Sequence, residues 1–330
     1  MEKPVRVTGM ADYEQTFGAP DADDTGVSVR LFFENGGRSA YVIRAGDPEQ
    51  GLRALDSVDL FNLLAVPGTA RLGEADAAQT ASAAAAVCER RRALYLVDPP
   101  ATLSDADVGG WKEELVATGN AALYFPAVQI DDPVGGLREV PPSGAVAGVI
   151  ARTDEQRGVW KQPAGTDAGL RGIRGLTAAV ADADGERLNT AGINALRTFP
   201  GQGIRVWGGR TLASAAEPEW KYVSVRRLLL FIEESIDQGT RWAVFEPNDE
   251  PLWRAVRSSI ESFLLELFRQ GALQGQMPDD AYFVRCDRTT MTQEDIDDGR
   301  LVCLVGVAPR RPAEFVLLRF GHKAGAKGAC

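Results

Sequence analysis

The 330-residue chain carries 36 Lys and Arg against 46 Asp and Glu, a formal net charge of −10 at pH 7, and 45% of its residues are hydrophobic. So acidic a balance opposes sequence-independent nucleic-acid binding, whose affinity comes from cationic contacts to phosphate. No apolar run approaches the ~20 residues of a membrane-spanning helix, which excludes direct membrane insertion by that route, and the length suits two domains of roughly 100–200 residues each.

The segment KPVRVTGMADYEQTFG predicts a short strand and then a helix that stops at Gly18. In VSVRLFFENGGRSAYVIRA a helix ends at Asn35-Gly36-Gly37, where glycine supplies the left-handed conformation that turns the chain, and a strand follows over Ser39–Arg44. From Leu60 apolar strands alternate with helices: FNLLAVP, the alanine-rich helix Ala77–Arg91, ALYLVDPP, the helix Ser104–Thr118 and AALYFPAVQI. Strands apolar on both faces, separated by helices of that length, predict a mainly parallel sheet covered on both sides.

Between Val140 and Leu188 the chain is rich in Gly, Pro and Arg. PSGAVAGVIARTD lacks the GxxxxGK[ST] order of a phosphate loop and reads as a helix in which Gly144, Ala147 and Gly148 permit close packing. Trp160 reads as a packing anchor. PGQGIRVWGGRT reads as a strand, Ile204–Trp207, bracketed by tight turns, because a phosphate cradle would have to open a helix. Next, Val225, Leu228, Leu229, Ile232 and Ile236 recur at helical spacing opposite Arg226, Glu233 and Asp237; Gly239 ends that helix and TRWAVFE reads as a strand. A longer helix starts after NDEP, with Leu252, Val256, Ile260, Phe263, Leu264, Leu267 and Phe268 on one stripe, and stops at Gly271. Three apolar strands close the chain, AYFVRC, LVCLVGVA and AEFVLLRF, with the acidic loop DRTTMTQEDIDDGR between the first two and PRRP between the last two.

The pattern divides the chain into an N-terminal α/β layer domain (1–140), a connecting helix and loop (141–190) and a C-terminal α/β domain (191–330) whose sheet is flanked by two amphipathic helices. Two prolines with arginines between them favour an extended linker over a tight hairpin, so residues 309–330 read as an arm. In that arm Phe315 and Leu317 take one strand face, Val316, Leu318 and Phe320 the other, with Arg319 between. Left unpaired, such a strand is an aggregation hazard that insertion into a neighbour's sheet removes.

Little in the chain points to catalytic or metal chemistry. The one histidine, His322, lies in the polar tail GHKAGAKGAC, far from the rigid setting that nucleophilic catalysis requires. Cys88, Cys286, Cys303 and Cys330 form no CxxC unit, so no zinc or redox pair is expected. Asp98 and Asp131, with Asp132, follow strands of the parallel sheet, where ligands commonly bind; a carboxylate-dependent hydrolase or a small-molecule binding protein using them is the alternative reading. Glu246, Asp249 and Glu250 could gather a cation, but helix-start chemistry explains them without one, and no metal or cofactor is expected.

Several stretches, NALRTFPGQGIRVWGGRT, VRRLLLFIEESIDQGTRWAVFEPNDEPLW, ADYEQTFG, FFENGGRSAYVIR and PPSGAVAGVIARTDEQRGVWKQPAG, resemble the contractile-tail sheath family found in phage tails, R-type pyocins, type VI secretion and extracellular contractile injection systems. The resemblance implies a non-enzymatic structural subunit that assembles with copies of itself as stacked hexameric rings, in a helical homo-oligomer around an inner tube. Baseplate and terminal cap proteins are the further partners it implies. It makes 1–140 the outer domain and 191–330 the inner, tube-facing one, so the polar residues Arg254, Arg257, Glu261 and Arg269 of the long helix become candidate tube contacts. It also implies that Phe315–Phe320 completes a neighbour's sheet. Lacking the apolar segment of a secretory signal, the chain is expected to assemble in the bacterial cytoplasm as part of a phage tail-like particle, either a virion or a particle released from the cell. The family's additional N-terminal arm precedes the segment matching KPVRVTGMADYEQTFG, and this sequence starts almost at that point; reciprocal strand exchange is therefore expected to be incomplete, in a monomer or a partly linked oligomer.

Overall fold

The computed structural model describes residues 3–20 and 23–312. β1 (Val5–Val7) leads into α1 (Met10–Phe17), which ends at Gly18 with φ 83°, and α2 (Asp24–Glu34) is capped by Asp23, whose carboxylate accepts from the Gly26 N–H at 2.7 Å. β2 (Ala40–Val42) returns antiparallel to β1, with Val5 opposite Val42. This ribbon and α1 close over Tyr13, Val29 and Val42 as a small core of their own.

The chain then runs through α3 (Pro48–Ala54), β3 (Leu63–Ala65), α4 (Glu74–Arg90), β4 (Leu94–Val97), α5 (Val108–Glu113) and β5 (Ala121–Phe125). β3, β4 and β5 are parallel neighbours, Leu63 opposite Leu94 and Tyr95 opposite Ala121. Along β4 and β5 alternate side chains enter different cores. Tyr95, Val97, Ala121 and Leu123 pack under α4 and α5, while Leu94, Leu96, Ala122 and Tyr124 pack under α2 and the helix that follows. Both strands are buried on both faces, which is why their sequence lacks polar alternation. The helix expected over Ser104–Thr118 is only one and a half turns long, since Gly109 and Gly110 weaken it from within.

AALYFPAVQI is two strands rather than one. Pro126 offers no N–H to a ladder, and beyond it β6 (Val128–Asp131) joins a separate three-stranded sheet with β7 (Leu137–Val140) and β8 (Gly175–Leu176), in the order β7-β6-β8. α6 (Ser143–Arg157) lies across α2 at very close range. A Cβ added at Gly144 would sit 2.3 Å from the Ser28 carbonyl oxygen, and one at Gly148 2.4 Å from that of Phe32. The small-residue pattern is therefore the sequence record of this helix crossing.

After α7 (Asp182–Thr190) come β9 (Ile193–Phe199) and β10 (Gly203–Val206). The sequence grouped them with the C-terminal domain, but β9 lies parallel to β5, Ile193 opposite Leu123, and β10 closes a hairpin on it. The five-stranded order β10-β9-β5-β4-β3 makes both part of the N-terminal layer. Gly201 and Gly203, at φ 72° and 77°, form the turn, so the glycine-rich run is hairpin chemistry.

The remaining core is built by α8 (Val223–Thr240), α9 (Glu250–Arg269), α10 (Pro278–Ala281), β11 (Tyr282–Arg285), α11 (Gln293–Asp297) and β12 (Leu304–Val307). Leu228 and Ile232 of α8 meet Leu252, Val256, Ile260, Leu264 and Leu267 of α9 over the β11-β12 ribbon. TRWAVFE is not a strand. α8 continues through Gly239 to Thr240, whose hydroxyl donates to the Ile236 carbonyl at 2.7 Å, and residues 241–249 must then reverse the chain into α9. A 3₁₀ turn, Arg241–Ala243, makes that reversal and leaves Phe245 fully exposed at φ 88°. The loop DRTTMTQEDIDDGR folds a short helix, α11, through a capping box between Thr292 and Asp295.

Candidate functional site

The carboxylates that suggested a catalytic centre are put to structural use. Asp98, just past β4, is buried, and its Oδ1 accepts from the Ser143 N–H at 3.0 Å, satisfying one free donor of the first turn of α6. Burial pushes its pKa up to about 7 against the Ser143 hydrogen bonds. By hydrogen-bond geometry its Oδ2, the Tyr95 hydroxyl and the Ser143 hydroxyl have no partner among the described residues, so the Ser143 N–H is the donor that opposes the shift. Asp131, in contrast, lies at the exposed end of β6, where a hydrogen bond from Arg174 at 2.7 Å holds its carboxyl below the ordinary value. Asp132 accepts from the Val134 N–H and shapes the following turn. One carboxyl is sealed in the core and the other ion-paired at the surface, which is no acid–base pair.

The acids before α9 have similar roles. Asp249 caps the helix, accepting from the Leu252 N–H at 3.1 Å, and Glu250 pairs with Arg288 at 3.5 Å. Cys88 and Cys286 are buried free thiols; burial pushes the Cys286 thiol up to about 12, far from the thiolate form.

Two further features lie on the C-terminal half. On α9, Arg254, Arg257, Glu261 and Arg269 lie within an arc of ~120° at 100° per residue, opposite the stripe that enters the core. Arg254 and Arg269 are exposed, and Arg257 approaches Glu261 at 3.9 Å. The structure thus brings these four onto one face.

Beyond β12 the chain stays extended instead of folding back. Pro309 bridges Leu273, the Gln274 N–H donates to the Ala308 carbonyl at 2.7 Å, and the Arg310 N–H donates to that of Ala272 at 3.3 Å. PRRP therefore directs the chain past the ribbon, and Phe315, Val316, Leu317, Leu318, Arg319 and Phe320 lie outside the described residues. β11 and β12 pair only with each other among the described residues.

The N- and C-terminal layers are joined by polar contacts that the sequence reading did not single out. Arg227 of α8, buried, donates to both oxygens of Asp154 at 2.7 and 2.6 Å. The Gln162 amide accepts from the Ser224 N–H and donates to the Gly209 carbonyl. A cavity of 450 Å³ beside α6, lined by several cations, was missed as well. The Arg-rich composition of 152–174 was its only signal in the sequence.

Residues 43–212 match the family described as the phage tail sheath protein central domain, and residues 215–321 match the phage tail sheath C-terminal domain. A tail sheath protein of Vibrio phage KVP40 is 25% identical, the match covering 96% of this chain and 54% of the phage protein. A putative prophage major tail sheath protein of Pseudomonas aeruginosa is 30% identical, covering 70% of this chain and 60% of the relative. This chain thus spans between half and two thirds of the length of these curated relatives. Among solved structures, a chain of the sheath complex of an extracellular contractile injection system, PVC, in its contracted state superposes with a TM-score of 0.82 at 33% identity, over 98% of this chain and 87% of that one. A chain of the anti-feeding prophage (AFP) baseplate gives 0.82 at 31% identity, over 98% and 88%.

Proposed function

We propose, because this chain belongs to the phage tail sheath family, that it is the structural subunit of a contractile sheath: copies stack as hexameric rings around an inner tube and rearrange to drive that tube through a target envelope. The observation that carries the reading is near-complete superposition on a sheath chain from a contracted injection system. A second support is the use the fold makes of its acids: Asp98 and Asp249 cap helices, Asp132 shapes a turn and Asp131 pairs with Arg174. The subunit needs no reacting group. It needs surfaces that hold copies together in two arrangements.

Two surfaces are assigned to those contacts. The exposed polar face of α9, with Arg254, Arg257, Glu261 and Arg269, contacts the inner tube, and the arm after PRRP carries Phe315–Phe320 toward a neighbouring sheet. An added strand gains backbone hydrogen bonds at ~0.5–1.5 kcal/mol each, so a six-residue strand contributes several kcal/mol per link. The remaining partners are baseplate and terminal cap proteins, and assembly takes place in the bacterial cytoplasm, within a phage tail-like particle.

Electron microscopy of the chain mixed with its cognate tube protein tests the role. Striated tubes are expected from the parent chain, and the charge reversal Arg254→Glu/Arg257→Glu is expected to lose them while keeping the fold. Unchanged tubes from that variant would reject the tube-contact face; discrete small particles from the parent would reject the sheath role.

A further inference from the structure

We infer that the cationic cavity beside α6 is the docking site for the acidic, aromatic tip between α8 and α9 of a second copy of this chain. This deepens the sheath reading and rests on it only in requiring that copies associate.

The cavity is a cleft of 450 Å³. Its rim carries Arg152, Arg157, Lys161, Arg171 and Arg205 against one carboxylate, Asp167. Arg152 is fixed in place, donating to the carbonyls of Asn35 and Gly169 at 2.7 Å each. Arg157 pairs with Asp167 at 3.1 Å. Arg205 donates to the Thr166 carbonyl through one terminal nitrogen, while its Nε is buried without a partner among the described residues. The side chains of Lys161 and Arg171 have no hydrogen bond or ion pair among the described residues. Five cations against one anion leave an uncompensated positive charge, in a chain whose net charge is −10. Burial, and after it the nearby Arg171, depress the basicity of Arg152. Ala164, Ala168 and Leu170 supply the apolar part of the same lining.

The matching surface is elsewhere on the same chain. Asn248 donates to the carbonyls of Ile296 and Arg300 at 3.3 and 3.2 Å, binding the turn before α9 to the loop that carries α11. The segment with Glu246 and Glu250 is thereby tied to the loop that carries Glu294, Asp297 and Asp298. Arg288 and Arg300 compensate Glu250 and Asp298, but Glu246, Glu294 and Asp297 have no cation partner among the described residues. Phe245, next to Glu246 in the same turn, is fully exposed and held at φ 88°, a left-handed conformation that costs a bulky residue energy and that clusters at functional contacts. An aromatic ring next to a carboxylate fits a cleft whose lining is part apolar and part cationic. The two surfaces are different patches of one chain, so their contact is head to tail, the kind that propagates into a ring or an open helix.

Sedimentation velocity on the full chain at low and high salt tests this. The parent is expected to self-associate, and less at high salt, where exposed charges are screened. Lys161→Glu/Arg171→Glu and Glu294→Lys/Asp297→Lys should each weaken association by at least about ten-fold, as losses of paired interface charges do. Mixed in equal amounts the two variants should associate again, because each then offers the charge the other lacks. Phe245→Ser removes a side chain that touches nothing in the isolated subunit, so its loss of association reports the interface and not the fold. A monomeric parent, a cleft variant that associates like the parent, or a mixture that stays apart would each overturn the inference. Tripolyphosphate that saturates the cleft and leaves association unchanged would assign the site to small anions and overturn it too. The tube-formation experiment reports the sheath role separately, since tubes that form normally from the cleft variants would leave that role standing and reject only this contact.

Discussion

The parallel β4-β5 pair and the β11-β12 ribbon are both apolar strand pairs, yet they are finished in different ways. β4 and β5 have helices over both faces and further strands on both edges, and Leu94, Leu96 and Leu123 are wholly buried. β11 and β12 have α9 on one face, no strand on either outer edge among the described residues, and Phe283 and Leu304 about half exposed. The first pair completes its burial within one subunit. The second leaves backbone donors and acceptors that another chain can satisfy.

Substitutions of similar size sharpen that contrast. Leu96→Ala opens a cavity in a closed core and is expected to cost about 2–5 kcal/mol of unfolding free energy in urea titrations of the isolated chain. Arg227→Ala strands the Asp154 carboxylate between the two layers, at an expected cost of about 2–3 kcal/mol in the same titrations.

Asp98 gives the closed region a titration signature. Its carboxyl titrates at 3.8 in the ordinary case and near 7 in the fold, so between those values the folded chain holds a proton that the unfolded chain has released. The stability this contributes is complete below about pH 4 and is lost as pH rises through 7, at up to ~1.4 kcal/mol per pH unit. Asp98→Asn keeps an acceptor for the Ser143 N–H and removes the proton; thermal melts across pH 4–7 should show a flatter profile than the parent's. An unchanged profile would place the slope in another group.

The smallest effect on the isolated subunit is expected at the open region. Leu304→Ala should cost under about 1 kcal/mol there, because half of its side chain is already in water. The same substitution should impair sheath assembly, read as tube yield in electron micrographs. A loss as large as that of Leu96→Ala in the isolated chain would erase the distinction between the two regions.

What the sequence revealed follows the same division. Burial on both faces writes itself into uninterrupted runs such as LYLV and AALYF, and the α2–α6 crossing writes itself into Gly144, Ala147 and Gly148. These are local records of strong constraints. The placement of β9 beside β5 was not legible, because pairing between residues 193 and 123 is a long-range choice that neither strand's pattern encodes. TRWAVFE has strand composition, but the continuation of α8 to Thr240 left no room for a strand before the Asp249 cap. The cationic cleft was hidden for a related reason: Arg152, Arg171 and Arg205 meet only once α6, the loop after it and β10 are folded together. The apolar stripe of α9 and the polar face opposite it were readable from spacing alone.

Hydrogen exchange of the free chain and of the chain assembled on its tube tests most directly whether one region is complete and the other awaits a neighbour. Amides of β4 and β5 should be equally protected in both states, while those of β11 and β12 should gain protection of about ten-fold or more on assembly. Equal protection of Tyr282–Arg285 and Leu304–Val307 in the two states would contradict the account.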